Sequence, residues 1–138
     1  MQQRLTFITL GVNDLVAMKT WYQQCLGWQP FKDDEGMCFF KLNGIVLGLY
    51  SANDLAEDIG IDATGSGFKR FALAINMESQ EAVDAFVAGV RSRGGRVVRQ
   101  PEPVFWGGYR GYIADPEDNY WEIAFNPYLP LDADGNVV

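Results

Sequence analysis

Residues 106–127, WGGYRGYIADPEDNYWEIAFNP, contain the hairpin that decides the fold of this chain. Apolar residues recur at alternate positions on both sides of Asp115-Pro116-Glu117-Asp118, a composition typical of a turn. The pattern predicts one strand at residues 107–115 and the last strand of the fold at residues 119–125. The two strands are expected to be joined directly by this turn.

A carboxylate, Glu122, interrupts the apolar character of the last strand. Alternation divides the strand into a core face with Trp121, Ile123 and Phe125 and an opposite face that carries Glu122. A partly buried carboxylate is costly unless it accepts hydrogen bonds, pairs with a cation or takes a raised pKa. Glu122 is therefore the first candidate for a functional or a structural polar contact.

The first half of the chain reads as a strand, a helix and several short strands. In residues 5–12, Phe7 and Thr9 share one face of the strand. Asn13 and Asp14 can cap the helix that follows, and Gly27 ends it. Short strands are expected at residues 28–32, 37–42 and 45–50, the last two joined by Asn43-Gly44.

The second half repeats this order. Residues 71–77 form a strand, Ser79 and Glu81 open a helix, and Gly94 stops it. Strands at residues 96–99, 107–115 and 119–125 complete the unit. The chain is therefore predicted to be α+β, built from two βαβββ modules that pack into one domain.

The expected boundaries are an N-terminal module at about residues 4–52, a linker at about 53–66, a C-terminal module at about 67–128 and a tail at 129–138. Asp54, Glu57, Asp58 and Asp62 make the region between the modules acidic. A solvated linker with a helical turn and a lid over a ligand are the two interpretations of this segment.

Composition limits the classes of function. The 138 residues are 48% apolar and 14% aromatic, enough for one domain with a core, and the net charge of −7 disfavours nucleic acid and anionic membranes as partners. No membrane span and no secretory signal are recognised, so a cytoplasmic location is expected. Cys25 and Cys38 are expected to be buried thiols.

Histidine does not occur in this sequence. The commonest transition-metal ligand and the side chain that titrates near neutral pH are therefore both missing. Nucleophile systems that depend on a Ser-His or Cys-His pair are excluded.

Three segments, TLGVNDL…WYQQCLGW, LAINM and WGGYRGYIADPEDNYWEIAFNP, together resemble the vicinal oxygen chelate superfamily of glyoxalases, bleomycin-resistance proteins and extradiol dioxygenases. The resemblance implies paired modules whose curved sheets surround a concave cavity, usually completed in a homodimer. Enzymes of this superfamily hold a divalent metal with His and Glu from the first and last strands of each module. The metal acts as a Lewis acid on vicinal oxygens of the substrate.

Transfer of these ligand positions leaves one match. Phe7 stands at the first-strand position of the first module and Ala72 at that of the second. The position of the first module that corresponds to Glu122, judged from the preceding turn, is about Leu47. Only Glu122 has a ligand side chain, and one carboxylate does not hold a transition metal. The expectation is therefore a protein without a metal or another cofactor, whose pocket has an apolar floor.

Glu122 and Tyr112 are the candidates for catalytic groups. Arg70 and Arg110 are the candidate cations beside Glu122, because Arg110 and Tyr112 share the strand face opposite Ile113. An internal contact, a ligand contact and acid-base chemistry are all open for Glu122. The predicted ligand-binding residues are Phe7, Thr9, Leu47, Arg70, Ala72, Trp106, Arg110, Tyr112 and Glu122, with Trp106 either lining the cavity or packing internally.

Three functions are compatible with these features. The first is a metal-independent protein that binds an amphipathic or aromatic small molecule in a cavity of a homodimer. The second is a glyoxalase-like or dioxygenase-like enzyme (lyase, isomerase or oxygenase) that uses Glu122 with a non-standard metal site or none. The third is a regulatory or partner-binding module with a filled cavity.

Overall fold

Residues 1–138 are all described by the computed structural model, and they divide into unit 1, Met1–Phe68, and unit 2, Lys69–Val138. Each unit contains a four-stranded mixed sheet. The elements of unit 1 are β1 (Phe7–Val12), α1 (Leu15–Cys25), β2 (Lys32–Asp34), β3 (Met37–Lys41), β4 (Val46–Ser51) and α2 (Ala52–Ile59). Those of unit 2 are β5 (Leu73–Asn76), α3 (Gln80–Ser92), β6 (Arg96–Pro103), β7 (Tyr109–Ala114) and β8 (Tyr120–Phe125).

The two sheets have the same strand order. In unit 1 the order is β1-β4-β3-β2, and in unit 2 it is β5-β8-β7-β6. The first strand of each unit pairs in parallel with the last strand, and the other pairs are antiparallel. The predicted α+β fold with two βαβββ modules is therefore confirmed.

One face of each sheet is covered by a helix. In unit 1, Met18 and Tyr22 of α1 are fully buried together with Phe40, Leu47 and Leu49 of the sheet. Burial of each such side chain stabilises the fold by about 1.5–3 kcal/mol, as an upper estimate. The core of unit 1 therefore lies between α1 and this sheet face.

Unit 2 repeats this packing with α3. Val83, Val87 and Val90 occur at helical spacing and are buried, as are Ile113 and Ile123 of the sheet. The opposite sheet face, called here the open face, is turned away from α1 in unit 1 and from α3 in unit 2. In unit 1, the short helix α2 lies on this face beside β1. Glu122 alternates with Ile123 and therefore lies on the open face of unit 2.

Side-chain caps define the starts of α1 and α3. Asp14 accepts a hydrogen bond from the Ala17 amide at 3.0 Å, and Ser79 accepts one from the Ala82 amide at 3.1 Å. These bonds satisfy amide groups that the first turn of a helix leaves without partners. The caps predicted at Asp14 and Ser79 are both present.

Three strands differ clearly from the predicted bounds. The strand expected at residues 28–32 forms later, as β2 at Lys32–Asp34. The strand expected at residues 71–77 is shorter, because Arg70 has φ 65° and the extended backbone begins only at Leu73. The strand expected at residues 96–99 extends to Pro103 through register irregularities against β7. Gly111 permits this, since a side chain there would lie 2.9 Å from the Arg99 carbonyl oxygen.

The acidic segment after β4 begins with a two-turn helix, α2, and residues 57–72 are all exposed, as expected of a solvated linker that contains helical turns. Ser51 caps α2 through the Asp54 amide at 3.4 Å, and Gly60 ends it in the left-handed region at φ 87°. Ala52 and Leu55 pack on Gly11, where an added Cβ would lie 3.3 Å from both residues. The absence of a side chain at Gly11 thus lets α2 lie directly against β1.

Both cysteines are buried thiols, as expected. Burial, followed by the charge of Asp33, raises the pKa of Cys38 to about 11, so this thiol stays protonated near neutral pH. None of the three helices has the length and apolar character needed to cross a membrane.

Candidate functional site

Glu122 and Tyr112 form a direct pair on the open face of unit 2. They lie opposite each other in the β7–β8 ladder, and the Tyr112 hydroxyl donates to Glu122 Oε2 at 2.9 Å. Both residues are intermediate in exposure, so solvent still reaches the pair. Of the contacts considered for Glu122, the one present is an internal bond to a tyrosine.

The environment raises the pKa of Tyr112 above the ordinary value for a phenol. Burial is the largest cause, and the hydrogen bond to Glu122 and the negative charge of Glu122 add to it. Burial disfavours the charged phenolate. The Glu122 carboxylate disfavours it as well, because deprotonation would remove the hydrogen bond and place two negative charges side by side. Tyr112 is therefore held as a neutral hydrogen-bond donor.

Arg110 lies beside this pair but binds a different carboxylate. Its Nη1 donates to Glu102 Oε1 at 3.2 Å, and Arg99 donates to the same oxygen at 2.9 Å. These two arginines lower the pKa of Glu102, which is partly exposed. Arg110 is only 14% exposed, and its guanidinium carbon lies 5.8 Å from the Tyr112 ring centroid.

Glu102 was missed by the sequence reasoning. It pairs directly with Arg110 in the β6–β7 ladder. That pairing depends on the shifted register of β6, and alternation within one strand carries no information about register.

Arg70 and Ala72 lie just before β5, and both are exposed. The residue of β5 that lies opposite Glu122 is Ala74. Arg70 is therefore not the partner of Glu122, since the hydrogen bond to this carboxylate comes from Tyr112.

Phe7 and Thr9 lie on the open face of unit 1, as predicted from alternation. Phe7 is 43% exposed, and its ring meets Phe39 edge-on with the centroids 5.4 Å apart. Thr9 lies opposite Gly48 of β4.

The expected placement of Leu47 beside Phe7 on the pocket floor is wrong. Leu47 is fully buried and pairs with Ile8 and Phe40 on the helix-covered face. Gly48 occupies the open-face position that corresponds to Glu122, since each lies opposite an aromatic residue of the preceding strand. The predicted position was one residue too early, and one residue reverses the face.

Trp106 belongs to the hairpin between β6 and β7. Its ring lies on Gly108, where an added Cβ would come within 2.0 Å of the indole. Gly107 has φ 100° and donates to the Val104 carbonyl at 3.0 Å, which closes the turn. Trp106 is 39% exposed, so it packs on its own hairpin and also presents a surface.

The donor groups do not fit a transition-metal centre of the kind that the resemblance implies. Glu122 lies between Ala74 and Tyr112, and the matching open-face positions of unit 1 are Thr9 and Gly48. No group of three or more His, Cys, Asp or Glu side chains in residues 1–138 is placed to hold a metal ion. A single carboxylate provides fewer ligands than the three or four of the usual sites.

A cleft of about 600 Å³ lies elsewhere in unit 2, away from Glu122. It is formed by the ends of β5 and β8 together with the C-terminal tail, which is closed by a bridge between Leu131 and Val137. The Tyr112–Glu122 pair does not line it. The cleft exists because the C-terminal tail folds back beside β5 and β8, and no pattern in the sequence predicts the path of this tail.

Paired βαβββ modules with a carboxylate on the open face of the last strand define the class of this protein. The family model described as Glyoxalase/Bleomycin resistance protein/Dioxygenase superfamily matches residues 4–123. The chain belongs to this superfamily.

Known structures agree with this assignment. A glyoxalase-related enzyme from Fulvimarina pelagi is 37% identical, with a TM-score of 0.88 over 99% of this chain and 98% of that chain. Lactoylglutathione lyase from Agrobacterium tumefaciens is 18% identical, with a TM-score of 0.73 over 91% of this chain and 96% of that chain, a likeness of fold alone.

A relative from Brassica oleracea var. gemmifera, named as a putative lactoylglutathione lyase, is 27% identical over 130 residues. The match includes 88% of this chain but 44% of that protein, so this chain spans less than half the length of the plant relative.

Proposed function

We propose that this chain binds an amphipathic or aromatic small molecule on the open face around Glu122, without a transition metal. The observation that supports this proposal is the hydrogen bond from Tyr112 to Glu122 Oε2 at 2.9 Å. It orients the carboxylate and leaves Oε1 for a donor group of a ligand. The partner is a neutral phenol, so no positive charge on the protein side of this hydrogen bond competes with a cationic ligand.

The surrounding groups determine which ligands suit this face. Arg110 is engaged by Glu102, so it does not neutralise Glu122 directly. Ala74, opposite Glu122 on β5, is small and apolar. A ligand with one hydrogen-donating or cationic group and an apolar body matches this combination. We further propose that the protein forms a homodimer, and that the second subunit encloses the open face around Glu122 as a ligand cavity.

A binding experiment tests this proposal. Wild-type protein is screened by thermal shift with aromatic cations, with their uncharged analogues and with Mg²⁺, Zn²⁺ and Ni²⁺. Aromatic cations are expected to raise the melting temperature, and metals to have no specific effect. Stoichiometric Zn²⁺ or Ni²⁺ binding that Glu122→Gln abolishes would overturn the metal-free proposal.

Two variants separate ligand binding from folding. Glu122→Gln keeps the size of the side chain and can still accept the Tyr112 hydrogen bond, so it should weaken cation binding while the fold persists. Glu35→Gln removes one charge from an exposed position of unit 1 and serves as the matched control. If Glu122→Gln unfolds far below the wild type in urea, the carboxylate is structural and the proposal fails.

A second candidate function is a glyoxalase-like or dioxygenase-like lyase, isomerase or oxygenase. The names of the plant relative and of the Fulvimarina protein favour it. In such an enzyme, Glu122 would accept a proton from the substrate while Tyr112 donates a hydrogen bond. Formation or consumption of lactoylglutathione by wild-type protein, lost in Glu122→Gln, would establish a lyase activity and replace the binding-protein proposal.

A further inference from the structure

A second recess, on the open face of unit 1, carries a carboxylate that the proposed function does not use. It has a volume of about 280 Å³ and is lined by Thr9, Met37, Phe39, Tyr50, Leu55 and Asp58. All of these residues belong to unit 1. Two aromatic rings and a carboxylate around one small recess suit an organic cation.

Helix α2 places the carboxylate at this recess. Leu55 and Asp58 are three positions apart on α2, so they lie on the same side of the helix. The contacts of Ala52 and Leu55 with Gly11 hold that side against β1. The position of Asp58 is therefore fixed by helix packing, although the side chain itself is exposed.

The charges around the recess favour a cation. Asp58 takes part in none of the ion pairs of the structure, and Asp54 and Glu57 add negative charge on the same helix. The Phe39 ring already has one ammonium near it, since Lys32 Nζ lies 5.8 Å from its centroid. Lys32 itself pairs with Asp34 at 3.9 Å, and the Asp58 carboxylate stays uncompensated.

The volume sets the size of the ligand. A cavity of roughly 150 Å³ accommodates benzene, so the recess of about 280 Å³ has room for one aromatic ring with a short amine arm. We propose that this recess of unit 1 binds a small aromatic or aliphatic ammonium compound, with the ammonium at Asp58 and the apolar part against Phe39 and Tyr50. The site goes beyond the function proposed for Glu122 and does not depend on it.

Titration with benzylammonium, followed through the backbone amide signals of ¹⁵N-labelled protein, tests this proposal. The amides of Thr9, Tyr50 and Asp58 are expected to shift. Benzyl alcohol, the uncharged analogue, and benzoate, the anion, are expected to bind more weakly. Equal affinity for benzylammonium and benzyl alcohol would overturn the proposal, because the carboxylate would then contribute nothing.

Asp58→Asn and Glu57→Gln form a matched pair of variants. Both remove one negative charge from α2, but only Asp58 lines the recess. Asp58→Asn is expected to weaken benzylammonium binding about threefold to fivefold, in line with a partly exposed ion pair. The fold should persist, because a negative charge in the last turn of a helix is unfavourable. Equal weakening by Glu57→Gln would mean a diffuse charge effect and no site.

Glu122→Gln distinguishes this proposal from the previous one. The shifts at Thr9, Tyr50 and Asp58 should remain in Glu122→Gln protein, and this outcome supports the unit 1 site even if no ligand binds near Glu122. Shifts confined to Tyr112 and Glu122 in the wild type would overturn the unit 1 site while supporting the function proposed for unit 2.

Discussion

The open faces of the two sheets differ at matching positions, whereas their helix-covered faces are alike. In unit 1, Phe39 lies opposite Gly48, and its ring covers the glycine at 3.2 Å from the place of a Cβ. In unit 2, Tyr112 lies opposite Glu122 and donates to it. The same pair of positions therefore carries an apolar contact in one module and a polar pair in the other.

This difference separates the positions that maintain the fold from those that are free to change. The helix-covered faces carry large buried side chains in both units, such as Phe40 in unit 1 and Ile113 in unit 2. A change there leaves a cavity, so both modules keep apolar residues. The open faces contribute less to the core, and a ring over glycine or a tyrosine beside a carboxylate can occupy the same ladder position.

The largest expected effects come from the helix-covered faces. Phe40→Ala should lower the free energy of unfolding by about 4 kcal/mol and Ile113→Ala by about 3 kcal/mol, because each leaves a cavity in a closed core. Urea unfolding followed by circular dichroism measures both. Phe39→Ala, the neighbour of Phe40 on the open face, is the control and should cost much less. If Phe39→Ala loses as much stability as Phe40→Ala, the two faces of the sheet contribute equally to the core, and the proposed difference between them is wrong.

The second prediction compares the turns of the two hairpins. Asp115, 1% exposed, accepts from the Asn119 amide at 2.9 Å and from Asn119 Nδ2 at 2.7 Å. Asp115→Ala leaves buried donors without an acceptor and should cost about 3 kcal/mol. In the turn of unit 1, Gly44 has φ 81° and exposed surroundings. Gly44→Ala should therefore cost only about 1 kcal/mol.

Urea unfolding of both variants measures this difference. Asp118→Asn, at an exposed position of the same turn as Asp115, controls for loss of charge. Asparagine tolerates the φ of 62° at this position, and the exposed ion pair of Asp118 with Arg96 contributes little. Equal losses in Asp115→Ala and Gly44→Ala would mean that burial of the second turn contributes no stability.

Much of the fold was predictable from local patterns. Alternation in β8 separated Glu122 from Trp121 and Ile123, and the caps at Asp14 and Ser79 set the starts of two helices. These signals are local, because strand faces and helix starts depend on neighbouring residues. The short helix α2 was underestimated, since its contact with β1 depends on a glycine, Gly11, far from it in sequence.

The candidate site was predictable only in part. Arg110, Tyr112 and Glu122 were expected on one face, and they do lie together. Their pairing was not predictable, because the choice between Arg110 and Tyr112 as partner depends on register and on Glu102. The alignment of Leu47 with Glu122 failed for a related reason: the two hairpins differ in length by one residue between the matching pairs.

The smallest expected effect comes from exchanging the aromatic residues of the two open faces. Tyr112→Phe makes unit 2 resemble unit 1 and removes one partly exposed hydrogen bond, so it should cost about 1 kcal/mol. Phe39→Tyr makes unit 1 resemble unit 2, but Gly48 offers no carboxylate to the new hydroxyl. Its effect should stay within about 0.5 kcal/mol. If Phe39→Tyr and Tyr112→Phe lose equal stability, the hydrogen bond between Tyr112 and Glu122 does not account for the loss in Tyr112→Phe.

The pH dependence of unfolding sharpens this last comparison. Because the pKa of Tyr112 is raised in the folded state, the folded protein keeps a proton that the unfolded chain loses as pH passes about 10, the ordinary value for tyrosine. The contribution of Tyr112 to stability is therefore complete below that pH and declines as pH rises toward the folded-state pKa. Urea unfolding at about pH 8 and about pH 11 should show a larger loss for the wild type than for Tyr112→Phe. Tyr109, whose pKa is raised by its hydrogen bond to Asp84, is present in both proteins and cancels from the difference. Identical pH dependence in the two proteins would mean that neither burial nor the Glu122 carboxylate raises the pKa of Tyr112 in the folded state.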